Sequence, residues 1–195
     1  MVRRAKVGRP RDPERGRAVL AATLRLLAES GYHALRVDAV AEGAGVAKTT
    51  IYRRWPSKQE MVMDALSMRL GETRLQDTDD PVADLRRLTA VVYGQLAEDG
   101  ADRTFPLLLA ELLQFDELAT VYRARFVEPA RSRARYLIRR AVDRGQIRAE
   151  IDPEVLMDAV ISPVLYRPLA IGGTAGPEFG LAVLDLVMTG ARPRA

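Results

Sequence analysis

Apolar residues recur every three or four positions along most of this 195-residue chain, and nowhere do they alternate for long enough to make a sheet. The pattern predicts an all-α protein of about nine helices. The first should begin near Asp12 or Pro13, an N-cap followed by a residue suited to the first helical position. Leu20, Leu24 and Leu27 form its stripe, and Gly31 ends it. Val37, Val40 and Ala41 mark the inner face of a short second helix. Ala47 to Arg54 is a third, with Gly43 and Gly45 flanking the turn between them. Ser57 followed by Glu60 reads as a capping box for a fourth, whose Met61, Ala65 and Met68 should face inward. Residues 71–80 are polar and acidic and read as a connection. Pro81 opens a helix with Leu85, Leu88, Val92 and Leu96 buried, Glu98 to Arg103 is a turn, and Thr104 to Gln114 is apolar nearly all round. Asp116 to Gly145 is one long helix or two, interrupted at Pro129. Arg131, Arg135 and Arg139 line one face of it, a solvated row partly offset by Glu128 and Asp143 in preference to a second nucleic-acid patch. Asp152-Pro153-Glu154 starts another helix, containing Pro163 and with Pro168 near its end. Gly172 and Gly173 break the chain, and a last helix follows Pro177.

The stretch from Val37 to Lys58 carries the candidate chemistry. Two short helices joined by a glycine-containing turn are the sequence form of a helix-turn-helix. At roughly 100° per residue, Lys48, Thr49, Tyr52 and Arg53 fall within an arc of about 140°, while Ile51 points away from it. A helix face bearing an ammonium, a hydroxyl, a phenol and a guanidinium suits a nucleic-acid groove. Arg and Lys donate to guanine edges or phosphates, and Thr and Tyr to phosphate oxygens.

The run from Ala21 through Ala65 resembles the DNA-binding domain of the TetR family of bacterial transcriptional regulators. The matching residues are Gly31-Tyr32, Ala41, Ala44-Gly45-Val46, Tyr52, the aromatic Trp55, and Ser57-Lys58, in that order. Two positions depart from the family pattern. Arg36 and Ala47 stand where the family often has Thr and Ser as helix caps, and losing such a cap costs about 1 kcal/mol. With the arc on the third helix, the resemblance makes Lys48, Thr49, Thr50, Tyr52, Arg53 and Lys58 the expected DNA contacts, and Arg36 can meet a phosphate through its charge instead of a cap. It also implies a helix-turn-helix domain at 12–56, joined through a linking helix to a C-terminal regulatory domain at 57–195. The tail IDPEVLMDAVISPVLYRPLAIGG looks like a C-terminal domain common in the family, though more loosely.

Charge is divided unevenly. Residues 1–70 hold 14 Lys/Arg and 7 Asp/Glu, while residues 71–195 hold 16 and 19. A basic head on a nearly neutral body is the electrostatic footprint of a DNA-binding protein. Met1 to Arg11 carries five basic side chains and no acid, and reads as a flexible arm whose Arg9 and Arg11 suit a narrow minor groove. Cysteine is absent and His33 is the sole histidine, so disulfides, thiol catalysis and a His/Cys metal site are excluded. With no phosphate loop and no paired acids, no catalytic cluster or cofactor is expected. No apolar run is long enough for a signal peptide or a membrane span, which points to a cytoplasmic protein.

One short helix touches few base pairs, so dimers reading paired half-sites about 34–36 Å apart are expected. The resemblance implies a homodimer through the last two helices, with Val160, Val164, Phe179, Val183 and Leu186 as candidates. It also implies a small effector in the body, largely apolar, for which Phe105, Leu109, Leu112, Tyr122, Phe126 and Tyr166 are candidate contacts; both sets also fit an ordinary core. The function so read is a ligand-responsive repressor on a palindromic operator. The alternative is a small-molecule-binding helical protein that has lost specific DNA recognition.

Overall fold

A computed structural model describes residues 13–71, 75–97 and 104–193, with residues 97 and 104–107 described by their backbone alone. The expected arm with Arg9 and Arg11, the Asp12 cap, the turn at 98–103 and the Phe105 side chain lie outside that description. Ten α-helical segments appear among the described residues, and no strand. The chain divides into two compact units, one ending at Ala65 and the other beginning at Leu66.

The first unit is built on α1 (Pro13–Ala34), α2 (Val37–Gly43), α3 (Lys48–Arg54) and the start of α4 (Lys58–Leu70). Gly31 takes φ 73° inside α1, which breaks the helix where the sequence places its end. Val19, Leu20 and Leu27 are buried, and α1 packs on α2 and α2 on α3. Ser57 Oγ accepts the Glu60 amide at 3.1 Å, the first half of the expected capping box. Met61 and Ala65 of α4 are buried as the spacing requires, but Met68 is exposed.

The second unit packs α5 (Pro81–Ala97), α8 (Glu128–Asp143), α9 (Pro153–Tyr166) and α10 (Pro177–Ala191) around one core. Leu85 and Leu88, then Ala134, Leu137, Ile138 and Ala141, then Leu156, Met157 and Val160, then Leu184 and Met188, supply it at helical spacing. Tyr93 of α5 is fully buried and donates its hydroxyl to the Val160 carbonyl, and burial pushes its pKa up to about 12. Gly180 on α10 lies against the Tyr93 ring, with which any Cβ would collide. α6 (Thr104–Leu112) precedes α7 (Asp116–Tyr122), which runs into α8 through a π turn at Arg123–Val127. The expected kink at Pro129 is absorbed there. Pro129 has no N–H and crowds the carbonyl four residues back, and the wider turn accommodates both.

Arg139 is exposed and Arg135 meets Glu128 as expected, but Arg131 and Arg135 are half-buried and reach α9 as well. Arg131 pairs with Glu154 and, at 2.6 Å, with Asp158; Arg135 pairs with Glu128 and, at 3.0 Å, with Glu154. Both arginines therefore tie α8 to the first turns of α9. On another side of α8, arginines capture the connection after α4. Arg133 donates to the Leu75 carbonyl at 3.2 Å and Arg140 to that of Thr78 at 2.8 Å. Arg144 takes the Asp79 carbonyl, and Arg87 of α5 takes that of Gln76 at 2.9 Å.

Asp84 anchors the same connection from below. Its carboxylate is 1% exposed and accepts the Thr78 amide at 2.9 Å and hydroxyl at 2.6 Å, with Arg87 and Arg140 beside it. Burial alone would raise its pKa, but the Thr78 donors and the two guanidiniums outweigh burial and hold it below 3.8. The stabilisation is thus complete above the ordinary carboxylate value and is lost as pH falls through the folded one. Asp84→Ala is expected to cost about 1.5–3 kcal/mol in urea unfolding at neutral pH. The gap between variant and parent should close as the pH is lowered into the acid range.

Candidate nucleic-acid interface

The turn between α2 and α3 is closed by backbone bonds: Ala44 N–H to the Val40 carbonyl at 2.9 Å, Gly45 to Glu42 at 3.1 Å, and Val46 to Ala41 at 3.0 Å. Gly45 takes φ 63°, a conformation that any side chain would strain. Neither helix has a side-chain cap, since Arg36 and Ala47 occupy the cap positions without making the bond. Packing replaces the caps. Val40 and Ala41 of α2 and Ile51 of α3 are buried, and Trp55 closes the end of α3. The Trp55 indole donates to Asp64 of α4 at 2.9 Å. The Arg54 guanidinium lies 4.8 Å from its ring centroid and covers Gly16 of α1, where a Cβ would collide with it.

The outer face of α3 is built as the arc requires. Lys48, Thr49, Tyr52 and Arg53 are exposed, Tyr52 by 46%, while Thr50 is half-buried at the edge. Arg36 is exposed at the entry to α2. Lys48 is not a bare cation: its ammonium sits 2.7 Å from the Asp38 carboxylate and 5.9 Å from the Tyr52 ring centroid. The shared hydrogen bond raises the Lys48 pKa and lowers that of Asp38. Asp38 escapes sequence reading because it stands ten residues before Lys48, a separation that matches no helical neighbour spacing.

Lys58 also has a role within the domain. A cation at the start of α4 is disfavoured by that helix's dipole, and the structure shows what offsets that cost. The ammonium donates to the Tyr32 carbonyl at 2.9 Å and the Leu35 carbonyl at 3.2 Å, and lies 4.1 Å from the Tyr32 ring centroid. It caps the end of α1, where carbonyls lack partners within the helix. Burial pushes its pKa down. His33 is exposed just past Gly31.

The other candidate sites divide. Leu109, Leu112 and Tyr122 are buried, and the Phe126 ring packs tilted against that of Tyr122 with centroids 5.2 Å apart. Burial raises the Tyr122 pKa to about 12. Tyr166 is 60% exposed. Of the dimer candidates, Val160 and Val164 are spent within their own chain: Val160 sits in the main core, and Val164 packs with Tyr93 and the half-buried Phe179. Val183 is half-buried, and Leu186 is 75% exposed. Among the described residues no group of three His, Cys, Asp or Glu could hold a metal ion, and no helix is long and apolar enough to cross a membrane.

A helix-turn-helix head followed by a helical body defines a class of DNA-binding regulators, and comparison with known proteins places the chain within it. Residues 19–65 match the family model for bacterial regulatory proteins of the tetR family, and residues 75–187 match that for the tetracyclin repressor-like C-terminal domain. The HTH-type transcriptional regulator YdeS of Bacillus subtilis is 35% identical over 94% of this chain and 91% of its own. The DNA-binding transcriptional repressor TetR of Mycobacteroides abscessus is 29% identical over 95% and 98%. The solved structure of the fatty acid degradation regulator FadR from Bacillus halodurans shares the fold, with a TM-score of 0.72 at 20% identity over 95% of this chain and 100% of that one. The chain belongs to the TetR family and is a DNA-binding transcriptional regulator, not an enzyme.

Because packing replaces the missing caps, trimming the buried side of α3 should unfold the head. Ile51→Ala is expected to cost about 2–5 kcal/mol. Trp55, the only tryptophan in the chain, reports it: the urea midpoint of its fluorescence transition should fall.

Proposed function

We propose that the protein is a homodimeric repressor that reads a palindromic operator with α3 and is released from it by a small, largely apolar effector. The observation that carries this reading is the exposed face of α3, on which Lys48, Thr49, Tyr52 and Arg53 stand together above a buried Ile51. A helix held rigidly by its inner side and polar on its outer side is what major-groove entry requires. Arg53 is assigned to base edges, Thr49, Thr50, Tyr52 and Arg36 to phosphates, and Arg9 and Arg11 to the adjoining minor groove. Lys58, fastened at the end of α1, reaches a phosphate with its remaining N–H.

Dimerisation is assigned to the outer faces of α9 and α10, where Val155, Tyr166 and Leu186 are exposed and Val183 is half-buried. Effector binding is assigned to the body around Leu109, Leu112, Tyr122 and Phe126, with Phe105 on the same helix as the leucines. An effector weakens operator binding only if it favours a spacing of the two heads that misfits DNA. A hundredfold effect needs about 2.7 kcal/mol of such coupling, within reach of one ligand.

Selection of genomic fragments bound by purified protein at two salt concentrations tests the reading. One palindromic motif, bound less tightly as salt rises, is the expected result; salt-dependent binding with no motif would reject it. On the recovered motif, Arg53→Ala should relax preference among sequences. Lys58→Ala should weaken all sequences alike and lower the salt slope by about one.

A further inference from the structure

The ion pair between α2 and α3 lies on the face assigned to DNA, yet half of it is negative. Asp38 is 54% and Lys48 47% exposed, with 2.7 Å between carboxylate oxygen and ammonium. A solvated pair of this kind adds little to folding stability. It does alter what the face presents to a polyanion. A free Lys48 would bind any phosphate within its reach, whereas here the Asp38–Lys48 pair as a whole carries no net charge. The Tyr52 ring, 5.9 Å from the ammonium, lies beside it, and Arg36 is close enough to act electrostatically on both partners. The Lys48 side chain is therefore restrained to one part of the surface.

We propose that Asp38 is a specificity-determining residue of this regulator, holding Lys48 away from indiscriminate phosphate contact and aiming it at a base edge. The inference rests on the reading of α3 as the helix that enters the groove. An ammonium has three donors. One stays on Asp38, and the others can reach an acceptor only where the pair already points, such as guanine O6 or N7 in the major groove. On DNA lacking that acceptor, Lys48 stays neutralised and the carboxylate faces phosphates unfavourably. This is discrimination by penalising the wrong partner as well as by rewarding the right one. Asp38 contacts no base in this scheme; it acts through Lys48 and is a positioning residue.

The test compares parent, Asp38→Asn, Lys48→Gln and the double variant on two duplexes across a salt series. One duplex carries the motif recovered by selection with the parent, and the other carries the same bases scrambled. Each freed lysine that neutralises a phosphate steepens the salt slope by about 0.9, equivalent to roughly eightfold in affinity at 0.1 M salt relative to 1 M. At 0.1 M salt Asp38→Asn is therefore expected to bind the scrambled duplex roughly eightfold more tightly, with a slope steeper by about 0.9. The motif duplex should gain less, so the ratio of the two affinities falls severalfold. In the Lys48→Gln background the same change should leave the slope unmoved. Trp55 fluorescence in urea verifies that each variant is folded, and Asp38→Ser replaces Asp38→Asn if the latter is not. An unchanged scrambled-duplex affinity, an equal gain on both duplexes, or a steeper slope without Lys48 would each overturn the proposal while leaving α3 as the reading helix. A parent that prefers neither duplex would instead remove that reading, and the proposal with it.

Discussion

Neither α2 nor α3 can hold itself. Each is seven residues long, far below the length at which an isolated helix persists in water, and neither has a side-chain cap. Everything the head presents outward therefore depends on what it buries inward. Val40, Ala41, Ile51 and Trp55 hold the two helices against the rest of the domain. Two polar links tighten the arrangement. The Trp55 indole bonds to Asp64, fixing the end of α3 to α4, and Lys58 bonds to the Tyr32 and Leu35 carbonyls at the end of α1. A missing cap costs little when tertiary packing supplies the fixation, which is why Arg36 and Ala47 are tolerated at cap positions.

The head divides its cations between two tasks. Lys58 and Arg54 work mainly within the domain: one closes α1, and the other lies over Trp55 and Gly16. Arg53 and Arg36 face solvent, and Lys48 stands between the two groups, exposed but paired. The net positive charge of the first 70 residues thus overstates the charge free to meet phosphate. Long-range attraction depends on the total, and short-range discrimination on how each cation is held.

The body solves a different problem with the same residue type. Its core is ordinary packing of aliphatic stripes, but the connection before α5 has no helix to satisfy its carbonyls. Arg87, Arg133, Arg140 and Arg144 satisfy them, and Asp84 accepts from Thr78 beneath. Arginine suits this work because its planar fork reaches several acceptors at once and is weakly hydrated. Residues 75–79 are held without a helix of their own, since the Leu75, Gln76, Thr78 and Asp79 carbonyls each accept from one of these arginines.

Periodicity and punctuation in the sequence were enough to place nearly every helix: Gly31 ends α1, Ser57 caps α4, Asp152-Pro153 starts α9, and the arc on α3 has Ile51 inside and Tyr52 outside. These features are local, each decided within about one turn of helix by backbone geometry and apolar spacing. What the sequence could not specify is what lies across a gap between elements. Arg131 and Arg135 look like a solvated row until α9 brings Glu154 and Asp158 to them. Val160 and Val164 look like interface residues until Tyr93 and the core claim them. Nothing in the sequence ties Lys58 to the end of α1 until that end lies beside it, and Asp38 is unremarkable until the turn at Gly45 folds α3 back onto α2. In each case the residue type set what the side chain could do. The partner was chosen by the packing of distant segments, because charge and hydrogen-bonding groups act on whatever is near in space and carry no record of sequence separation.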